Sequence, residues 1–191
     1  MITLKLTRLA GCFELQPRVL GDQRGRFIKT FHQGWFAEHG LRSDFTEQYY
    51  SVSQHRVLRG LHFQLPPHDH VKLVYCTAGR VLDAAVDLRR QSPTYGQFIC
   101  IELSAEQGNM LYLNSGFAHG FYTLSETATL VYNVTSVYAP AHDAGIRWDS
   151  VGIPWPDVTP ILSERDRGFP ALAEYQTPFT GGNSSPDRRH P

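Results

Sequence analysis

Two short segments far apart in the chain, Arg59-Gly60-Leu61-His62 and Gly116-Phe117-Ala118-His119-Gly120, each present a histidine among apolar and turn-forming residues. If both sit on strands of one β structure, two imidazoles enter a common cavity. An imidazole near its ordinary pKa of about 6.5 accepts and returns protons at neutral pH. Arg59 and Lys72 add fixed positive charge, and cations gathered in an interior require an anion to receive them. Tyr132, after Leu130-Val131, offers a phenolic proton from another side. A base and an acid on opposite faces of one carbon would invert it. Asp83, Asp87, Asp143 and Asp166 are each able to orient a base, and spacing does not choose among them.

Those side chains need short strands to carry them. Val71–Asp87 reads as two β-rich runs broken at Ala78-Gly79, where glycine suits a hairpin. Similar runs cover Gln97–Leu103, Asn109–Leu113, Gly120–Leu124 and Ala128–Thr135. The helical candidates, Gln33–His39 and Ser163–Arg167, are too short for the crossovers of a parallel sheet. The expectation is an all-β, antiparallel sandwich or barrel. The proline steps after Tyr138 predict an ordered strap across it.

Composition narrows the function classes. The 191 residues make one domain the default, expected over residues 1–176 with a disordered tail at 177–191. Lys plus Arg and Asp plus Glu number 18 each, and no basic stripe with interleaved aromatics occurs, so nucleic acid is not an expected partner. No long apolar run or signal-type start is present, which predicts a soluble, cytoplasmic protein without a membrane partner. Cys12, Cys76 and Cys100 are odd in number and scattered, as buried free thiols are.

Gly108, Asn114, Gly116 and His119 resemble the second metal-binding motif of the cupins. The first motif is incomplete: His68-Asp69-His70 has the His-x-His form, but Lys72 follows and the glutamate is missing. A lysine at a ligand position repels a divalent ion, so the residues predict no metal and no cofactor.

A longer series of segments resembles the dTDP-4-dehydrorhamnose 3,5-epimerase family. It runs through Asp22-Gln-Arg-Gly-Arg-Phe27, Val57–Gln64, Val71–Val74, Asp83–Arg89, Ser92–Gly96, Gly116–Phe121, Leu124–Ala128, Tyr138-Ala-Pro140, Gly145–Trp148 and Ile161–Asp166. The resemblance implies a jelly-roll barrel of the cupin superfamily with a few short helices. It also implies a homodimer sharing an N-terminal arm, and a nucleotide-diphosphate sugar with a C4 ketone as substrate. It makes His62 the general base, Asp166 its orienting carboxylate, Lys72 the enolate stabiliser and Tyr132 the opposing acid. Arg24, Phe27, Lys29, Gln48, Tyr50, Arg59, His119, Tyr138 and Asp143 fall at substrate-binding positions. Lys29 stands where the family often has glutamate, Tyr50 where asparagine is usual, Asp143 where glutamate is common, and Asn133 where lysine is frequent. An intact catalytic set with an altered recognition set leaves open one-centre epimerisation, a 3,4-ketoisomerase, or a CDP- or GDP-linked substrate. From other classes, a metal-dependent oxygenase and a non-catalytic sugar-binding barrel are the rivals.

Overall fold

Alternation along the strands decides the layers of this molecule. In β7 (Lys72–Ala78), Val74 and Cys76 enter one apolar cluster while Leu73 and Tyr75 enter another on the opposite side. In β8 (Arg80–Asp87), Val81 and Ala85 join the first cluster, and Ala84 and Val86 join a third. Strands buried on both faces read as near-continuous apolar runs, which is why these two were legible.

A computed structural model describes residues 2–181. The other strands are β1 (Ile2–Leu6), β2 (Cys12–Pro17), β3 (Val19–Asp22), β4 (Gly25–Ile28), β5 (Glu47–Gln54), β6 (Leu58–Gln64), β9 (Phe98–Ser104), β10 (Met110–Leu113), β11 (Phe117–Thr123), β12 (Thr127–Val134) and β13 (Asp143–Gly145). They form a six-stranded sheet, β1-β2-β10-β7-β12-β5, a five-stranded sheet, β13-β6-β11-β8-β9, and a separate ribbon, β3-β4. Every strand pairing is antiparallel.

The central core lies between the large sheets, where Leu111, Leu113 and Leu130 of one meet Leu103, Phe117 and Phe121 of the other. Helix α1 (Gln33–Glu38) covers the outer face of the six-stranded sheet with buried Trp35 and Phe36. Its start is fixed by His32, whose Nδ1 accepts from the Trp35 amide at 3.1 Å. Ile146, Ile153 and Phe179 of the C-terminal strap cover the outer face of the five-stranded sheet. Among the described residues no helix is long and apolar enough to cross a membrane.

Three expectations need correction or qualification. The closed jelly-roll barrel is not formed: neither large sheet closes on itself, and the two meet through side chains in an open sandwich whose edge strands, among the described residues, are β1, β5, β9 and β13. The all-β, antiparallel part of the expectation stands. Ala78-Gly79 is not a hairpin either. It is a corner that carries the chain from the six-stranded to the five-stranded sheet, and a Cβ on Gly79 would lie 2.1 Å from the Thr127 carbonyl oxygen. Of the expected tail, residues 177–181 are packed: Thr177 and Phe179 are buried, and the amides of Arg90 and Gln91 donate to the Phe179 and Thr180 carbonyls. Residues 182–191 lie outside the described residues. The cysteines are free thiols, Cys12 and Cys76 buried and Cys100 half-buried.

Candidate active site

β6 and β11 pair so that His62 stands directly opposite His119. Glycine permits that approach. Gly60 has φ +136°, and a Cβ there would lie 2.6 Å from the Gly120 Cα. A Cβ on Gly120 would in turn lie 2.6 Å from the Arg59 carbonyl oxygen. The ladder shifts register between His119 and Phe121, a local irregularity of the kind that re-aims side chains next to sites.

Leu61 and Phe63 bury themselves under the C-terminal strap, so alternation turns His62 toward the space between the sheets. Its Nε2 lies 2.8 Å from Asp166 Oδ1, and the Gly60 amide donates to Oδ2 at 3.1 Å. Asp166 belongs to α2 (Glu164–Arg167), whose cap Ser163 accepts from the Asp166 amide. The strap leading there is pinned by reciprocal backbone bonds between Ile161 and the Arg56–Leu58 segment. Burial pushes the Asp166 carboxyl up, but hydrogen bonds from His62 and Gly60 outweigh it and hold the group at about 2. Arg165 Nη2 also lies 2.8 Å from Nε2, but a guanidinium only donates, so the ionised carboxylate is satisfied only by the tautomer with the proton on Nε2. That leaves the Nδ1 lone pair, which has no protein partner among the described residues. Desolvation holds the His62 pKa below its ordinary value; Asp166 works against the shift, and Arg165 and Lys72 add to it. The imidazole is therefore neutral at pH 7.

Lys72 and Tyr132 come from the six-stranded sheet and face His62 across the cavity. Lys72 Nζ donates to the His62 carbonyl at 3.2 Å and meets no carboxylate as an ion pair among the described residues. Desolvation lowers its pKa to about 8, with Asp143 and Asp83 opposing. Burial pushes the Tyr132 phenol far up, so it stays protonated. Its hydroxyl lies 3.4 Å from Ser51 Oγ. His119 Nε2 is held by both oxygens of the fully buried Asp83, at 3.0 and 2.9 Å. Arg59 donates to Ser53 Oγ at 2.9 Å and, like Lys72, has no carboxylate partner among the described residues. Of the four carboxylates, Asp87 is committed to Arg89, Ser92 and Thr94, and Asp143 to Arg165 and the Tyr138 hydroxyl.

The cavity measures about 380 Å³, enough for a sugar ring. His62, Lys72, Tyr132, Arg59, His119, Tyr138 and Asp143 line it, and Asp166 stands behind His62. Gln48 and Tyr50 do not line it. They occupy the opposite face of β5, where Gln48 donates to Asn133 and the Tyr50 side of the strand is open to solvent. Their neighbours Glu47, Tyr49 and Ser51 face the cavity instead, a one-residue change of phase that exchanges the whole face. The alternating small hydroxyls Ser51 and Ser53 were the available signal. Arg24 is paired with Asp22 at the tip of the β3-β4 ribbon, and Phe27 and Lys29 line a separate hollow with Trp35 and His32. Gln64, His70 and Arg165 also line the cavity, although the motifs and matching segments that contain them gave none of the three a part in substrate binding or proton transfer. The His68-Asp69-His70 run does not converge: His68 meets His142 with the rings tilted, Asp69 accepts from Ser115, and His70 contacts Gln64 and Ser136. Among the described residues no three His, Cys, Asp or Glu side chains are grouped to hold a metal ion.

A neutral imidazole backed by an ionised carboxylate, facing a lysine and a protonated phenol from the other sheet, defines a class of enzyme that moves protons at carbon. Residues 6–174 match the family model of dTDP-4-dehydrorhamnose 3,5-epimerase, so the chain belongs to that family of nucleotide-sugar epimerases. The Pseudomonas aeruginosa dTDP-4-dehydrorhamnose 3,5-epimerase is 44% identical over 177 residues, covering 90% of this chain and 97% of its own. Among solved structures, the dTDP-6-deoxy-D-glucose-3,5-epimerase of Legionella pneumophila, in complex with dTDP-4-keto-L-rhamnose, superposes with a TM-score of 0.88 at 34% identity, covering 92% of this chain and 95% of that one. A 4-keto-6-deoxy sugar epimerase from the novobiocin biosynthetic gene cluster of Streptomyces spheroides gives 0.88 at 37%, covering 91% and 89%.

Proposed function

We propose that this protein is a 3,5-epimerase of dTDP-4-dehydro-6-deoxy-D-glucose, working by proton abstraction and return at carbons next to the C4 ketone. The observation that carries the reading is the placement of His62 on one sheet and of Tyr132 and Lys72 on the facing sheet. His62 Nδ1 takes the acidic C–H proton, and the electron pair moves onto the ketone oxygen to form an enolate. The Lys72 ammonium stabilises that oxygen, a contribution realised only as charge develops. Tyr132 then delivers its phenolic proton to the opposite face of the carbon, and the configuration inverts. Solvent restores the proton of Tyr132 and removes that of His62.

Arg59 receives the diphosphate of the substrate, since its guanidinium has no carboxylate to satisfy it and presents a forked donor. His119 lines the same wall, and Tyr138 at the mouth flanks the sugar. The ribbon β3-β4 carries exposed Leu20 and Phe27 together with Arg24. An uncovered apolar ribbon beside an anion-binding side chain supports a homodimer, in which Arg24, Phe27 and Lys29 meet the nucleotide. Light scattering after size exclusion tests this: a monomer mass at micromolar concentration removes the dimer.

The activity itself is tested by proton NMR of dTDP-4-keto-6-deoxy-D-glucose with the enzyme in D₂O. Deuterium entering C3 and C5 with inversion at both is the expected result. Entry at C3 alone makes it a 3-epimerase, and migration of the ketone makes it a ketoisomerase. If no label enters, the same experiment with CDP- and GDP-linked 4-keto sugars decides whether the nucleotide or the reaction was misassigned.

A further inference from the structure

Tyr49 and Tyr132 are direct partners in the β5-β12 ladder. Their rings stack with centroids 4.8 Å apart and planes 18° from parallel. The Tyr132 ring also makes a T-shaped contact with His119, at 6.2 Å and 80°. The Tyr132 hydroxyl has one protein neighbour among the described residues, Ser51 Oγ at 3.4 Å, which is long for a hydroxyl hydrogen bond. The phenol is therefore held by ring contacts, the Tyr49 stack foremost, rather than by its oxygen. Tyr49 uses only its ring for this, because its own hydroxyl makes no hydrogen bond among the described residues. It is also poorly buried for a cavity aromatic, at 41% exposure, so a core-packing role accounts for little of it.

We infer that Tyr49 is a positioning residue whose ring fixes the aim of the Tyr132 hydroxyl, so that each carbanion made by His62 is reprotonated from the opposite face. This rests on the proposed function. The consequence concerns partition rather than abstraction. When Tyr132 loses its aim, the enolate still forms, and the conjugate acid of His62, which contacts solvent, returns a proton to the face it came from. Solvent label then enters the carbon with retention.

The test is the ratio of inversion to deuterium entry in D₂O, measured by NMR for wild type, Tyr49→Ser and Tyr49→Phe. The stack is expected to hold the ratio in Tyr49→Phe, and its loss in Tyr49→Ser is expected to lower the ratio about fivefold to tenfold. Tyr49→Leu, which preserves strand character without an aromatic face, should behave as Tyr49→Ser. An unchanged ratio in both non-aromatic variants overturns the inference, and so does a fall in Tyr49→Phe as large as in Tyr49→Ser. Equal loss of label and inversion in Tyr49→Ser and Tyr49→Leu also overturns it, because the effect then lies in binding or folding. Failure of the wild-type enzyme to admit label into any 4-keto sugar defeats the functional reading itself, a result seen before any variant is compared.

Discussion

His62–Asp166 and His119–Asp83 have the same composition, face each other across β6 and β11, and are almost equally close, at 2.8 and 2.9 Å. Their surroundings differ. The His62 side chain keeps 24% of its surface open, whereas His119 keeps 4% and Asp83 none. Asp166 receives a backbone amide as well as the imidazole and is pulled down to about 2. Asp83 lies inside the sheet, and burial pushes its pKa up despite His119 and Lys72 beside it. One pair thus has an anchored anion and an imidazole with a free nitrogen toward the cavity. The other has its nitrogen clamped by both oxygens of one carboxylate. On the proposed mechanism, what separates the base from its structural counterpart is what is left open on the far side of the ring.

The largest test of that contrast replaces the histidines one at a time. His62→Asn should lower kcat by about 10³-fold or more and abolish deuterium entry, as expected for loss of a general base. His119→Asn should retain measurable deuterium entry and raise KM instead, and the split is read from steady-state kinetics beside NMR. Equal loss of label in both variants breaks the comparison.

The carboxylates come next. Asp166→Asn should reduce kcat by about 10²-fold, because the neutral amide no longer selects the tautomer that leaves Nδ1 bare. Asp83→Ala should act chiefly on stability, by about 1–3 kcal/mol, since it leaves a buried imidazole N–H without an acceptor. Calorimetry and kinetics on the two variants should therefore rank them in opposite orders.

The pH profile sharpens the contrast further. The proposed mechanism requires a neutral His62 and a protonated Lys72, so kcat/KM should rise with pH through a value below 6.5 and fall again near 8. Removing the negative charge in Asp166→Asn disfavours the imidazolium and should move the acid limb lower still. Removing Asp83 withdraws a charge that favours the ammonium of Lys72, and the alkaline limb should shift downward. A profile that is flat from pH 5 to 9 contradicts both assignments.

The smallest effect is expected on the outer face of β5. Tyr50→Ala leaves the cavity wall intact and should change kcat/KM by no more than about twofold, whereas substitutions at Glu47 on the inner face should be felt in KM. A large loss on Tyr50→Ala would show that this face meets substrate or a second subunit.

Much of the site was written in local pattern. Arg59-Gly60-Leu61-His62 and the Gly116–Gly120 segment marked two strands that each deliver a histidine, because glycine at a close crossing and a polar residue between apolar neighbours are local signals. The strands from Val71 to Thr135 were legible for the same reason. The N-terminal strands and β5 were less so, since their exposed faces mix charge and aromatics and offer no clean alternation. The resemblance points to Gln48 and Tyr50, and no alternation in β5 sets its face independently: the phase of an edge strand depends on which face its neighbour β12 buries.

By itself, then, the sequence determined the all-β class, the residue types proposed for proton transfer and, among the described residues, the absence of crossover helices, all of which follow from periodicity and chemistry within a few residues. Tertiary structure decided that the sheets stay open, that Gly79 turns a corner between them, and that Asp166 rather than Asp83 backs His62. Those outcomes depend on contacts between segments distant in the chain, and no local spacing encodes them. The pinning of Ile161 against the Arg56–Leu58 segment brings Asp166 to His62, and the same packing sets a neutral imidazole, a buried lysine and a stacked phenol around one cavity.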